Sequence, residues 1–337
     1  MANKRSYLLK MVWDLGLILT ALASLEAATI TATTTFASGT AVSGTNPDSI
    51  TLSRNSVWVA YTNTADSTGK SGSSVVAQYD YAGKLLNQYT FAGYVDGLRY
   101  DHERDLIWVM QNQDGNSALV LMDHNAKMTP MAYAVQSGTR GYDDVSFING
   151  GIFMSYTNPT GSTDTTIQYL TGVNPITFAP VLTMGATGTN LATQQTGPTT
   201  QNDPDSLLAT PFGGLMLTSG DDGQLIFVHN LEQFTRSISF LTVLDPTSGK
   251  HVSGLDDTVF ALSPTGSFYV ADTGNNQVLK VDVTGVIPMS LYASVGSMNA
   301  VVSVDMKTGM ATPFITNLKS PHGLAFAADF ISLFGGQ

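Results

Sequence analysis

The sequence predicts an all-β fold, a six-bladed β-propeller with four antiparallel strands in each blade. Three observations support this prediction. Short runs of alternating apolar and polar residues are separated by turns rich in Gly, Pro, Asn and Asp along most of the chain, a pattern typical of β-strands joined by tight turns. The runs recur with a period of about 50 residues, which is the spacing of a propeller blade. A short string that opens each unit occurs six times.

The clearest copy of the pattern covers residues 255–282, LDDTVFALSPTGSFYVADTGNNQVLKVD. Its three alternating runs, residues 258–262, 267–271 and 277–282, are separated by the turn-forming strings SPTG and DTGNN. Because each turn is short, we expect the three strands to form one continuous meander within a single blade.

The six recurring strings place a polar residue, usually Asp, before a small residue and then an apolar strand. They are PDSITL at Pro47, VDGLRY at Val95, YDDVSF at Tyr142, PDSLLA at Pro204, DDTVFA at Asp256 and PHGLAF at Pro321. Pseudo-rotation brings equivalent positions of successive blades to equivalent places, so the aligned column should form a ring at the mouth of the central channel. The predicted ring is Asp48, Asp96, Asp143, Asp205, Asp257 and His322.

The second strand of each unit ends in Asn, Asp or Ser, where a strand gives way to a turn. In a propeller these turns lie on the same face as the connection into the innermost strand. The predicted face loops therefore surround the ring, with candidate residues Asn63, Asn112, Asn158, Asp221, Asp272 and Asn275.

Five carboxylates around a narrow axis repel one another, at about 2 kcal/mol for each pair ~8 Å apart in an effective dielectric near 20. Two arrangements relieve the repulsion. Each Asp accepts backbone N–H bonds and fastens its blade to the next, or the ring binds a cation. Calcium is the expected ion because the donors are hard oxygens. Its candidate ligands are Asp143, Asp205 and Asp257.

Three stretches depart from the repeat. Residues 184–203 form a long polar tract, for which a surface insertion and a lid over the channel are the alternatives. Residues 283–318 contain about two strands too many, and we interpret VIPMSLYASVG as an inserted hairpin, with a seventh blade as the alternative. The Thr-rich residues 28–43 have no blade of their own, and we expect them to supply the outer strand that closes the last blade.

The N-terminal sequence predicts a secretory signal peptide. Lys4, Arg5 and Lys10 precede the apolar run LGLILTALA, and small residues suited to cleavage follow near Ala23 and Ala27. The apolar run is about half of the ~20 residues that a membrane span needs. We therefore assign residues 1–27 to a signal peptide and residues 28–337 to one propeller domain, in a secreted or periplasmic protein.

Composition excludes several kinds of site and partner. The chain has no Cys, which removes disulfides, zinc–thiolate sites and thiol nucleophiles. Without the leader, 12 basic and 24 acidic residues remain, and such a charge repels phosphate backbones, so nucleic acid is not an expected partner. The sequence has no P-loop, Rossmann fingerprint, HExxH, EF-hand loop or GxSxG elbow.

The segment GSFYVADTGNNQVLKVD, residues 266–282, resembles the core of an NHL repeat, and SPHGLAF at residues 320–326 resembles the innermost strand of such a blade. The resemblance implies a recognition or scaffolding module that binds a protein or small-molecule ligand at its central face and has no chemistry of its own. In blade number and in polar residues at the channel mouth the chain also resembles the six-bladed gluconolactonase and SMP-30 group. That resemblance implies the alternative, a calcium-dependent lactonase or esterase, in which Asp48 is the nearest counterpart of the group's N-terminal acidic ligand.

Overall fold

The structure is a computed structural model that describes residues 27–123, 128–131, 140–173, 176–232 and 236–329. The predicted signal peptide lies outside the described residues, apart from Ala27. No helix among the described residues has the length and hydrophobicity needed to cross a bilayer.

The described chain is built almost entirely from strands. The first half contains β1 (Thr29–Ser38), β2 (Pro47–Leu52), β3 (Val57–Tyr61), β4 (Ser73–Tyr79), β5 (Leu85–Ala92), β6 (Val95–Asp101), β7 (Leu106–Gln111), β8 (Ala118–Met122), β9 (Met128–Met131), β10 (Tyr142–Ile148), β11 (Gly151–Tyr156), β12 (Thr165–Val173) and β13 (Ile176–Thr183). The second half contains β14 (Thr187–Asn190), β15 (Thr196–Pro198), β16 (Pro204–Ala209), β17 (Leu215–Ser219), β18 (Gln224–His229), β19 (Ser237–Thr242), β20 (Leu255–Ala261), β21 (Thr265–Asp272), β22 (Gln277–Thr284), β23 (Ser290–Val295), β24 (Ala300–Val304), β25 (Ala311–Ile315) and β26 (Pro321–Ala328).

These strands form six sheets, one for each blade, which confirms the predicted six-bladed propeller. Blades 1 to 3 are simple meanders of consecutive strands, β2 to β5, β6 to β9 and β10 to β13. The sheets pack face to face through apolar side chains of their middle strands. Trp58 and Trp108, at equivalent places in β3 and β7, are buried in two successive interfaces of this kind. Each blade thus adds its own core against its neighbours.

Blades 5 and 6 exchange strands, contrary to the expected meander over residues 255–282. The inner strand β20 pairs with β23, and blade 5 continues through β24 to β25. The hairpin β21–β22 instead pairs with the C-terminal strand β26 and belongs to blade 6. The chain therefore passes into blade 6 after β20, returns to blade 5 for three strands, and ends in blade 6.

The exchange accounts for the surplus of strands in residues 283–318. The segment VIPMSLYASVG is not an inserted hairpin, because it contributes the single strand β23 to blade 5. Residues 283–318 hold the three strands β23, β24 and β25, which complete the blade of β20, whereas β21 and β22 complete the blade of β26. The described residues form no seventh sheet.

The N-terminal strand closes the ring, as predicted. In blade 6, β1 runs antiparallel to β22, with Thr34 opposite Lys280, and forms the outer edge of the sheet. Blade 6 is thus assembled from three separate segments of the chain, which ties both ends of the described sequence into one sheet.

The polar tract 184–203 is a surface insertion, but an ordered one, and its strands lie at the outer edge of a blade and not over the channel as a lid. Strands β14 and β15 form a hairpin that extends blade 4 to six strands, with β14 parallel to β19 at the outer edge. The chain then returns to the channel through buried Thr199 and Gln201. It brings Asp203 to the mouth of the channel, directly before β16.

Candidate functional site

The innermost strand of every blade carries a bulge near its N-terminus. Pairing with the neighbouring strand shifts between Pro47 and Ile50 in blade 1, and the same shift recurs in the other five blades. Two residues in each blade are therefore left out of the regular ladder and are free to face the axis. The first of these is Asp48, Asp96, Asp143, Asp205, Asp256 or His322, and the second is Ser49, Gly97, Asp144, Ser206, Asp257 or Gly323.

The register corrects one member of the predicted ring. Leu255 in blade 5 occupies the position of Pro47 in blade 1, so Asp256, and not Asp257, is the equivalent of Asp48. Two adjacent Asp residues fit the same string, and only the pairing with β23 distinguishes them.

The first bulge positions surround a cavity of about 190 Å³ on the axis. Eight carboxylates line it, together with one His, Tyr94, Gln113 and small residues. The carboxylates are those of Asp48, Asp96, Asp143, Asp144, Asp203, Asp205, Asp256 and Asp257. All six residues of the predicted ring are among the lining residues.

The second bulge positions fasten neighbouring blades. The Ser49 hydroxyl accepts the Leu98 N–H at 3.0 Å, Asp144 Oδ2 accepts the Leu207 N–H at 2.9 Å, and Asp257 Oδ2 accepts the Leu324 N–H at 3.1 Å. Accepting backbone N–H bonds from the next blade was the structural role predicted for the whole ring. It belongs instead to the second bulge positions, and Asp257 performs it.

Two of the remaining second positions must be glycine. A Cβ on Gly97 would lie 1.9 Å from the carbonyl oxygen of Asp143, and a Cβ on Gly323 would lie 2.0 Å from that of Asp48. Both distances are far inside van der Waals contact. The close approach of adjacent inner strands therefore requires the absence of a side chain there.

Two cations are built into the site. His322 Nδ1 lies 3.0 Å from Asp48 Oδ1 and 2.7 Å from Asp256 Oδ2. Burial alone would lower the pKa of His322, but the Asp256 and Asp48 carboxylates outweigh it and raise the pKa to about 12. Arg99 pairs with Asp144 through two contacts, one of them Nε to Oδ1 at 3.2 Å.

Four carboxylates on the side of blades 2 to 4 form no ion pair with a described cationic side chain: Asp96, Asp143, Asp203 and Asp205. The Gln113 amide lies between two of them. With its nitrogen turned towards them, as the hydrogen-bond network requires, it donates to Asp96 Oδ2 at 2.7 Å and Asp143 Oδ1 at 3.0 Å.

These four carboxyls are hard to ionise. Burial, followed by repulsion from neighbouring carboxylates, raises the pKa values of Asp96, Asp143 and Asp205 well above the ordinary value. Burial and the nearby Asp221 raise the pKa of Asp203 to about 6. A cation placed among these carboxylates would offset both the cost of burying their charge and their mutual repulsion.

A buried hydroxyl on the same side lacks a partner. Ser206 is 2% exposed and lines the cavity, and its Oγ forms no hydrogen bond within the described chain. An unsatisfied buried hydroxyl is costly, by about 1–3 kcal/mol. This wall of the cavity therefore offers an acceptor as well as negative charge.

The ligand atoms of Asp48, Asp256 and His322 lie within 4.8 Å of one another, close enough to hold one metal ion. Asp143, Asp205 and Asp257, the expected calcium ligands, do not form such a group in the described chain. The oxygens of the compact group suit calcium. Its His nitrogen suits calcium poorly, and its proton already bridges the two carboxylates.

The predicted face loops have mainly structural bonds. Asn63 Oδ1 accepts the Thr45 N–H at 2.7 Å, Asn112 Oδ1 accepts the Tyr94 N–H at 2.9 Å, and Asp272 Oδ1 accepts the Lys319 N–H at 2.7 Å. Each bond attaches a turn to the segment that enters the innermost strand. Asn275 donates to Asp272 at 2.8 Å, and Asn158 donates to Asp114 at 2.6 Å. Asp221 lies close enough to Asp203 to raise its pKa.

Sequence reasoning missed Asp203, Asp144, Gln113, Tyr94, Ser206 and Arg99. The pair Asp143–Asp144 matches Asp256–Asp257 at the same bulge, and this match was the available signal for a second column. Gln113 directly follows the turn residue Asn112, and Asp203 lies two residues before Asp205. Neither the residue type nor the local sequence of Gln113 and Asp203 distinguishes them from other turn residues.

Comparisons with known proteins identify the architecture. No protein-family model matches the sequence, and no curated protein shows significant sequence similarity to it. A solved structure of a putative gluconolactonase superposes with a TM-score of 0.51 at 11% identity, covering 85% of this chain and 82% of that one. The periplasmic gluconolactonase of Pseudomonas aeruginosa gives a TM-score of 0.50 at 13% identity, covering 84% and 88%. At these identities the similarity concerns the fold, and the chain resembles SMP-30-like six-bladed propellers.

Proposed function

We propose that this protein is a recognition propeller that binds a cationic ligand in its central cavity. The observation that carries the proposal is the composition of the cavity wall, where the described residues supply eight carboxylates and one cationic side chain, His322. Arg99 is not a lining residue, but it pairs with the lining residue Asp144. Such a wall favours positive charge and repels anions.

The imbalance falls on one side of the cavity. His322 neutralises the side of Asp48 and Asp256, and Arg99 neutralises Asp144. Asp96, Asp143, Asp203 and Asp205 pair with no described cationic side chain. Asp96 and Asp143 have the neutral Gln113 amide between them, and Asp143 also bonds Thr157. A ligand cation is therefore expected on the side of blades 2 to 4, where it relieves the repulsion.

The basic, apolar and small-residue order of the first 27 residues supports export, and the proposed module acts in the periplasm or outside the cell. The mature chain is expected to begin between Ser24 and Ile30. Mass spectrometry of protein recovered from outside the cytoplasm tests this, and an intact Met1 would refute cleavage.

A calcium-dependent lactonase or esterase is the second candidate. The observation that favours it is the compact group Asp48, Asp256 and His322, whose ligand atoms are close enough for one ion. A bound divalent ion there would supply Lewis acidity towards a carbonyl oxygen. The His322 proton, held by both carboxylates, competes with such an ion.

Thermal unfolding in calcium chloride, in magnesium chloride, in the hydrochlorides of putrescine and n-butylamine and in chelator, at matched ionic strength, tests cation binding. A bound ion stabilises the fold by about 2.7 kcal/mol at a hundred times its dissociation constant. The same samples are then screened against lactones and esters. Stabilisation without turnover supports recognition, and turnover that the chelator abolishes would replace it with the hydrolase. If neither calcium nor organic cations change the melting temperature, cation binding is wrong.

A further inference from the structure

We infer that the cavity ligand is an organic diamine or a comparable ammonium compound, held by the carboxylates of Asp96, Asp143 and Asp205 and by the Ser206 hydroxyl. This inference rests on the proposed cation recognition and names the chemical class of the ligand.

The spacing of the carboxylates argues against a bare metal ion on this side. No three of Asp96, Asp143, Asp203 and Asp205 bring ligand atoms within 4.8 Å of one another, whereas Asp48, Asp256 and His322 do. One calcium ion holds its oxygens at about 2.3–2.6 Å, which requires a tighter group. Carboxylates spread over three blades suit a ligand with two separated positive groups.

The size of the cavity agrees with such a ligand. Its volume of about 190 Å³ is many times the ~10–15 Å³ that holds a single water, so a small organic cation fits. A four-carbon diamine has six heavy atoms. A longer amine would extend through the mouth of the cavity, where Asp203 adds a further carboxylate.

Ser206 provides an observation independent of charge. Its Oγ is buried in the cavity wall without a hydrogen-bond partner. An ammonium group carries three N–H donors and no acceptor, so it can satisfy this oxygen and two carboxylates together. The Ser206 hydroxyl oxygen and the carboxylates that pair with no described cationic side chain belong to the same wall, and an ammonium group can donate to both.

Isothermal titration calorimetry with putrescine, n-butylamine, 1-butanol and calcium chloride, at constant ionic strength, tests the inference. We expect putrescine to bind more tightly than n-butylamine, and 1-butanol not to bind. Asp205→Asn should weaken putrescine binding at least tenfold and Ser206→Ala about threefold. Glu103→Gln removes one exposed charge in a turn away from the cavity and should leave binding unchanged.

The outcomes separate the two proposals. Calcium binding without putrescine binding overturns the diamine and leaves cation recognition intact. Equal putrescine affinity in the wild type, Asp205→Asn and Ser206→Ala places the amine elsewhere on the acidic surface and also overturns the inference. If no cation binds, both proposals fail. Circular dichroism shows whether each variant is folded. If Asp205→Asn is unfolded, the putrescine affinity of Ser206→Ala tests the inference instead.

Discussion

Gly97 stands where any side chain would collide with the next blade. We predict that Gly97→Ala lowers the free energy of unfolding by about 1–3 kcal/mol, because the new Cβ overlaps the Asp143 carbonyl oxygen and the inner strands must separate. Gly197→Ala is the matched control, since a Cβ there has no neighbour within 4 Å. Urea unfolding measures both. Equal stability of the two variants would contradict the close approach at the axis.

The raised carboxyl pKa values predict that mild acid stabilises the unliganded protein. Burial raises the pKa of Asp257 to about 7, and burial with Asp221 raises that of Asp203 to about 6, both above the ordinary value of 3.8. Between the ordinary and the raised value the folded state binds more protons than the unfolded state. The free energy of unfolding should therefore fall as the pH rises from about 4 to 7.

Urea unfolding at pH 5 and pH 8 measures this slope. Asp203→Asn should reduce it and Glu103→Gln should not. Four carboxyls in turns have lowered pKa values, but they titrate below the ordinary value and do not affect this window: Asp66, Asp164, Asp245 and Asp305. Greater stability at pH 8 than at pH 5 would refute the account of the cavity carboxyls.

At the level of single residues, the sequence pattern predicted which residues surround the axis. It did not predict which of them line the cavity and which bond neighbouring blades. Repetition placed Asp48, Asp96, Asp143 and Asp205 at one cavity, because pseudo-symmetry converts a column into a circle. It could not distinguish Asp256 from Asp257, since the choice depends on where the bulge interrupts pairing with β23. Arg99 and Ser206 were missed because their importance comes from neighbours in other blades.

Among the secondary-structure elements, local sequence patterns could not predict the exchange of strands between blades 5 and 6. Alternation and turn residues identified β20, β21 and β22 as strands, but they specify neither the partner nor the sheet. A three-residue connection between β20 and β21 is equally compatible with a hairpin and with a step into the next blade. The Thr-rich residues 28–43 were correctly predicted to supply the outer strand of the last blade, which is β1.

Engineered disulfides test the exchange directly, because the chain has no Cys of its own. Ser267 lies opposite Ala327 in the β21–β26 pair, at the separation that a disulfide bridges. We predict that the Ser267→Cys, Ala327→Cys protein forms an internal disulfide on oxidation. The control pair Ser267→Cys, Val259→Cys should not, because β20 and β21 lie in different sheets. The reverse result on non-reducing gels with peptide mapping would restore the simple meander.

For the whole molecule, the proposed function assigns stability to one bulge column and recognition to the other. The second column supplies acceptors that connect blade to blade, and the first surrounds a cavity whose carboxyls are costly to bury without a ligand. Binding sites are commonly retained at the expense of stability. The pseudo-symmetric ring thus combines blade-to-blade hydrogen bonds with a cavity whose carboxyls the proposed cation would stabilise in their charged form.

The most direct test of this division is the melting temperature of two variants measured without added ligand. Asp144→Ala breaks the Arg99 pair and the bond to the Leu207 N–H, and should cost about 3 kcal/mol and lower the melting temperature by roughly 5 °C or more. Asp205→Asn removes a carboxyl that its neighbours repel and that forms no ion pair with the described residues, and should leave the melting temperature unchanged or raise it. If Asp205→Asn lowered the melting temperature as much as Asp144→Ala does, the first column would also hold the blades together. That result would contradict the proposal that the central cavity is a binding site.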